Sequence, residues 1–139
     1  MTALRDVFAD TVFWIALVVR ADQYHSRAQE WSQRIGGRII TTEAVLLEVA
    51  NSLARPAWRA AGIALLDHVS QRADVEIVPV DSHLWKRGWT LYRDRPDKSW
   101  SLTDCISFLV MEDFKLTDAM TADEHFRQAG FRAVLLESP

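Results

Sequence analysis

Cysteine is almost absent: Cys105 is the only one in 139 residues, which excludes an intramolecular disulfide framework and a cysteine-rich zinc centre. That scarcity fits a reducing, cytoplasmic setting, with Cys105 itself expected as a small core residue. Long hydrophobic runs are also missing. The apolar stretch 12–19 is about half of the roughly 20 residues a membrane-spanning helix needs, and it ends at Arg20 and Asp22. Asp6 and Asp10 stand where a signal peptide would carry basic residues, so no targeting segment is expected. There is no basic surplus either. The formal net charge is −3, so any affinity for a polyanion has to come from a local basic patch or a bound cation. No two histidines have zinc-ligand spacing, and no repeat, low-complexity tract or linker interrupts the chain.

What is present is the composition of a packed protein, 49% hydrophobic and 25% charged, and a length that suits a single domain over residues 1–139. Short apolar runs alternate with helical patterns. Strands are expected at 7–9, 38–41, 75–80, 119–121 and 131–136, and helices at 11–20, 22–35, about 42–55, 58–72, 82–92, 101–114 and 124–129. Asp22, Thr41 or Thr42, Asp81 or Ser82, and Ser101 or Thr103 are candidate caps. Gly36 and Gly37 are expected to end the second helix through left-handed backbone angles, and Gly130 to turn the chain. This alternation predicts an α/β fold, an open and mainly parallel sheet of about five strands covered on both faces.

In such sheets ligands bind beyond the carboxyl ends of the strands, where the strand order reverses. Asp10 and Asp123 follow predicted strands, Glu48 lies two turns into the helix after strand two, and Asp104 lies in the first turn of the helix before the Asp123 strand. Gathered at one crevice, four carboxylates repel each other unless a cation compensates. Magnesium or manganese prefers oxygen ligands and can activate water against a phosphodiester without a nucleophilic side chain. Each acid also has a plainer reading. Asp10 or Asp123 can be a helix cap, Glu48 can face water or pair with Arg55, and Asp104 can favour its helix N-terminus.

The segments FADTVFWIAL, TTEAVLLEVANSL and SWSLTDCISFLVMEDFKLTDAMTADEHFRQAGF resemble the PIN-domain ribonucleases, in particular the VapC toxins of toxin–antitoxin pairs. The resemblance covers nearly the whole chain. It implies a three-layer α/β/α sandwich and hydrolysis of RNA, with Asp10, Glu48, Asp104 and Asp123 as catalytic residues and ligands of Mg2+ or Mn2+. It also implies a homodimer held in check by a VapB-like antitoxin. The fourth acid is the most variable in that family, and Asp123 is expected to act through water or in a supporting role.

Other residues have weaker claims. Thr11, Thr103 and Thr121 stand beside acids, where a hydroxyl can orient a carboxylate. Glu43 reads as a solvated first-turn acid, and Asp118 should lie at the far end of its strand. Asp22, Tyr24 and His25 read as a helix start. His125 reads as a packing or capping residue rather than a base. Arg93, Arg95 and Lys98 can meet phosphates, but with Asp94 and Asp97 interrupting them they read first as a mixed, solvated loop, while Arg55 and Arg59 flank Pro56. Of the six tryptophans, most sit among apolar residues at helical spacing and read as core or interface, and Trp100, next to the Asp104 motif, is the one to test for stacking on a base. Two rival readings are a PIN-fold module that binds or regulates RNA without cutting it, and a phosphotransfer protein centred on a strand-end aspartate. The second needs a lysine near the sheet, and neither Lys98 nor Lys115 follows a strand.

Overall fold

The computed structural model describes residues 3–139. Its sheet has five parallel strands in the order β3-β2-β1-β4-β5: β1 (Val7–Ala9), β2 (Ile39–Thr42), β3 (Val75–Val78), β4 (Asp118–Met120) and β5 (Arg132–Ala133). Helices connect every pair of successive strands: α1 (Thr11–Val18), α2 (His25–Ser32), α3 (Glu43–Ser52), α4 (Pro56–Gln71), α5 (Ser82–Asp94), α6 (Leu102–Asp113) and α7 (Glu124–Gln128). The chain moves from β1 outward to β3, then returns to the other side of β1 for β4 and β5. Under the right-handed crossover rule, α1–α4 then cover one face and α5–α7 the other. The reversal of direction falls between β1 and β4, the place where such sheets open a crevice.

β1 is central and wholly buried, with Val7, Phe8 and Ala9 inaccessible to solvent. On the α6 side, Phe8 meets Phe126 at 6.3 Å between ring centroids, Phe126 meets Phe108 edge-on at 5.0 Å, and Phe108 meets Trp100 at 5.0 Å. Cys105 is buried in α6, as expected of a core residue, and burial beside Asp104 pushes its thiol up to about 11. No helix among the described residues is long and apolar enough to cross a membrane.

Several boundaries follow local chemistry. Thr42 caps α3 by accepting from the Val45 N–H, Asp81 caps α5 by accepting from Leu84, and Ser101 caps α6 within a reciprocal capping box. Pro56 does not follow the end of a helix so much as begin the next one at its first position, where its missing N–H costs nothing. Gly130, at φ 96°, closes α7 in a Schellman turn: Phe131 N–H reaches Phe126 O at 2.9 Å and Gly130 N–H reaches Arg127 O at 3.0 Å.

Three expectations need correction. Asp22 does not cap a helix at 22–35; it accepts from the Tyr24 N–H at 2.8 Å in a turn, and α2 starts at His25 and ends at Ser32. The expected last strand, 131–136, pairs only through Arg132 and Ala133 before the chain tightens into a 3-10 turn, Val134–Leu136, which the Thr121 carbonyl anchors through Leu135 N–H. Gly36 and Gly37 take no left-handed angles. Gly37 is instead where the entry to β2 passes tightly against the entry to β1, and a Cβ there would stand 2.7 Å from Asp6 N and 2.8 Å from Arg5 C. Since these are backbone atoms, Gly37→Ala is expected to cost about 1–3 kcal/mol in urea denaturation. Gly36→Ala, with its nearest contact at 3.3 Å, should cost clearly less; equal losses would show that the close approach is not the cause.

Candidate active site

Asp10 follows directly on β1, with its backbone N–H bonded to Met120 O of neighbouring β4 at 3.3 Å. Its position is that of the α1 N-cap, yet its side chain makes no capping bond. The carboxylate turns instead into the crevice, where Thr121 Oγ1 donates to Oδ2 at 2.8 Å. The same Thr121 hydroxyl accepts from Asp123 N–H at 3.1 Å, so one buried threonine ties the first acid to the backbone of the fourth. Thr11 plays the matching part for Glu48, donating from Oγ1 to Oε1 at 2.7 Å. Glu48 therefore neither pairs with Arg55 nor points freely to water.

Asp104 occupies the third position of α6. Its Oδ2 accepts from Ser101 N–H at 3.0 Å while its own N–H donates to Ser101 Oγ at 3.0 Å. The capping reading is thus right for Asp104 and still incomplete, because His125 Nδ1 stands 2.9 Å from that same Oδ2. His125 Nδ1 is also 3.3 Å from Asp123 Oδ1. Asp123 caps α7 by accepting from the His125 N–H at 2.9 Å. Ligand atoms of Asp104, Asp123 and His125 all lie within 4.8 Å of one another.

His125 is the residue whose place sequence reasoning misjudged. It neither packs in the core nor caps a helix; its ring joins two of the acids. The available signal was its position two residues after Asp123 on a helix that begins there, which turns the ring back toward the cap. Trp100 is corrected in the other direction. It is buried, its indole N–H donates to Gln128 Oε1 at 3.1 Å, and the Arg95 guanidinium lies 5.0 Å above its ring, so it offers no free face for a base. Thr103 contributes only its carbonyl, accepting from Ser107 Oγ. Glu43 is exposed and holds the Val80 N–H, and Asp118 lies at the opposite end of β4. His25 fastens α2 to α1, its Nδ1 being 2.6 Å from Ala16 O.

The electrostatics of the cluster are one-sided. Asp10 is raised from 3.8 to about 7, chiefly by burial, with the negative charges of Asp104 and Glu48 adding to it and the Thr11 and Thr121 hydrogen bonds opposing it. Asp104 is raised too, first by burial and then by Asp123, against the opposing pull of Ser101 and His125. Among the described residues no lysine or arginine forms an ion pair with any of the four acids. Carboxylates of which two are buried and two half-buried, without a lysine or arginine counter-charge, fit a hard divalent cation. A separate cleft of about 790 Å³ lies at the amino ends of the strands, between Arg5, Gly37 and Lys115, and contains none of these acids.

Comparisons with known proteins identify the family. The PIN domain family model matches residues 7–132. The 23S rRNA-specific endonuclease VapC20 of Mycobacterium tuberculosis is 32% identical over 127 residues, covering 90% of this chain and 95% of its own length. The crystal structure of M. tuberculosis VapC20, described as a Sarcin-Ricin loop cleaving toxin, superposes with a TM-score of 0.84 at 26% identity, covering 91% of this chain and 96% of that one. VapBC2 from Rickettsia felis, solved bound to a DNA fragment from its promoter, shares the fold at a TM-score of 0.63 and 12% identity, over 90% of this chain and 93% of that one. With all five strands parallel and the match running through every element from β1 to β5, the chain belongs to the PIN domain family and, within it, to the VapC group.

Proposed function

We propose that this protein is a metal-dependent endoribonuclease, the toxin of a type II toxin–antitoxin pair, in which water hydrolyses an RNA phosphodiester. The observation that carries the reading is that Asp104 and Asp123, with His125, offer ligand atoms within 4.8 Å of one another, that the charges of Asp104 and Glu48 act on buried Asp10, and that no lysine or arginine among the described residues pairs with any of these acids. Mg2+ or Mn2+ would be held by these carboxylates and would supply charge neutralisation at the phosphate and a more acidic water. The protein's own groups do the positioning. Thr121 fixes the Asp10 carboxylate, Thr11 fixes Glu48, and Ser101 with His125 fixes Asp104, so that the acids stand preorganised rather than reorganising at each turnover. Asp123 is half-buried and tied through its side chain to the start of α7.

The remaining parts of the proposal are a homodimer acting in the cytoplasm, a VapB-like antitoxin as partner, and residues 1–139 working as one PIN domain. The rival of an RNA-binding module that does not cut leaves the four acids without a task. Incubating the protein with ribosomes and total RNA, in Mg2+ or Mn2+ and again in chelator, and mapping new 5′ ends decides between them. Discrete metal-dependent cuts are expected from wild type and none from Asp104→Asn, an exchange that keeps an oxygen for the Ser101 cap. RNA left intact by wild type in both metals would sink the nuclease reading.

A further inference from the structure

Helix α5 carries large aromatic side chains that its own packing does not use. Leu84 and Gly88 are its buried residues, and Gly88 is in close approach to Ile106 of α6. Trp85, Trp89 and Tyr92, spaced i, i+4 and i+7, share one face and remain 51%, 43% and 44% exposed. A contiguous apolar surface of this kind on a folded protein marks a binding surface.

The stripe runs past the acids. A cleft of about 300 Å³ separates Trp85 from α3 and is walled by Leu47, Glu48, Asn51 and Leu102. A second cleft, of about 730 Å³, is bounded by Trp89, Tyr92, Lys98, Ser101 and again Leu102. Leu102 is therefore a ridge between the two clefts, two residues before Asp104. One cleft includes an acid of the site in its wall, and the other includes Ser101, whose N–H binds Asp104.

Charge identifies the occupant. Residues 82–100 contain Lys86, Arg87, Arg93, Arg95 and Lys98 against Asp94 and Asp97, a balance of +3 within a chain whose total is −3. Asp97 holds Arg95 and Asp113 holds Arg87, whereas Lys86, Arg93 and Lys98 have no acidic partner among the described residues. Trp89 and Tyr92 stack at 5.6 Å and 16°, and the Arg93 guanidinium lies 5.6 Å from the centre of the Trp89 ring. Lys98 in the cleft of Trp89 and Tyr92, and Arg93 at the Trp89 ring, give the exposed aromatic stripe a cationic margin that suits a strand alternating bases and phosphates; an apolar protein surface would leave those cations desolvated and unpaired.

We infer that the exposed face of α5 is a stacking platform for nucleotides flanking the scissile phosphate, with Trp85 serving the cleft beside Glu48 and the Trp89–Tyr92 pair serving the cleft beside Ser101. This inference rests on the nuclease reading, and the two can fail separately. The test combines Trp89→Ala with Tyr92→Ala, positions exposed enough to leave the fold intact, and follows binding of a short single-stranded RNA by fluorescence anisotropy in the Asp10→Asn background. Affinity is expected to fall by about 10- to 100-fold, as the loss of one or two stacked bases would give, and Trp89→Phe should restore most of it. In the cleavage-competent protein the double variant should raise KM while kcat stays near wild type. Unchanged affinity overturns the inference, as does conversion of a larger species to a smaller one on sizing with RNA affinity kept, which would make the stripe an interface between copies. If wild type cuts no RNA yet the double variant loses binding, the nuclease reading falls and the platform stands.

Discussion

Replacing Asp10 by asparagine is expected to reduce RNA hydrolysis by about 10³-fold or more and, in chelator at pH 8, to make the protein more stable than wild type. The two effects share a cause. Asp10 is 5% exposed and stands beside Asp104 and Glu48, so its ionised form is unfavourable in the folded protein, which is why its pKa is raised from 3.8 to about 7. At pH 8 the side chain is nevertheless ionised, and the native state carries the burial penalty, on the order of 4 kcal/mol for a shift of this size. Asparagine removes the charge and keeps an oxygen that can accept from Thr121. Part of the gain is lost because the amide's NH2 group has no partner waiting, so roughly 1–3 kcal/mol of net stabilisation is expected in urea denaturation. A variant less stable than wild type under those conditions would show that the Asp10 carboxylate serves the fold rather than a cation. Glu48→Gln offers a comparison: its carboxylate is only half-buried and accepts a good hydrogen bond from Thr11, so activity should fall with little change in stability.

Much of this arrangement is legible in the sequence, and the dividing line is distance along the chain. The strand 7–9, the Ser101 and Thr42 caps and the positions of the four acids depend on neighbours within a few residues, and cap chemistry and periodicity read those neighbours directly. The links that organise the site are long-range: Thr121 to Asp10 spans 111 residues and Thr11 to Glu48 spans 37. His125 lies two residues from Asp123, but no local pattern encodes the angle at which α7 meets α6, and that angle decides whether its ring also reaches Asp104, 21 residues away. Gly37 is a similar case. As a residue it signals a turn, but its role is to let two strand entries pass without a Cβ between them, and the second entry lies some thirty residues earlier. Trp100 stands out for stacking because it adjoins the Asp104 motif, yet it is buried, with Gln128 on its indole N–H and Arg95 over its ring.

The second large effect expected is a pH-dependent stabilisation by Mg2+ or Mn2+, strong at pH 8 and nearly absent at pH 5. In the metal-free protein Asp10, at about 7 folded against 3.8 unfolded, binds its proton more tightly in the native state. Its contribution to stability is therefore undiminished below about pH 4, falls as the pH rises between about 4 and 7, and is at its most unfavourable above that range. Asp104 acts in the same direction. A bound divalent ion removes the penalty by supplying the missing counter-charge, but it competes with protons for the same oxygens. At pH 5 it has to displace one from Asp10; at pH 8 the carboxylate is already ionised and repelled by its neighbours. Thermal melts across this range, with and without metal, should show two curves that meet near pH 5 and diverge toward pH 8, and mixing metal with protein near pH 6 should release protons into weak buffer. In Asp10→Asn the divergence should shrink, because the group that paid most for being ionised is gone. A metal-induced shift in melting temperature that is the same at pH 5 and pH 8 would mean that the cation binds elsewhere than at the buried acids beside β1.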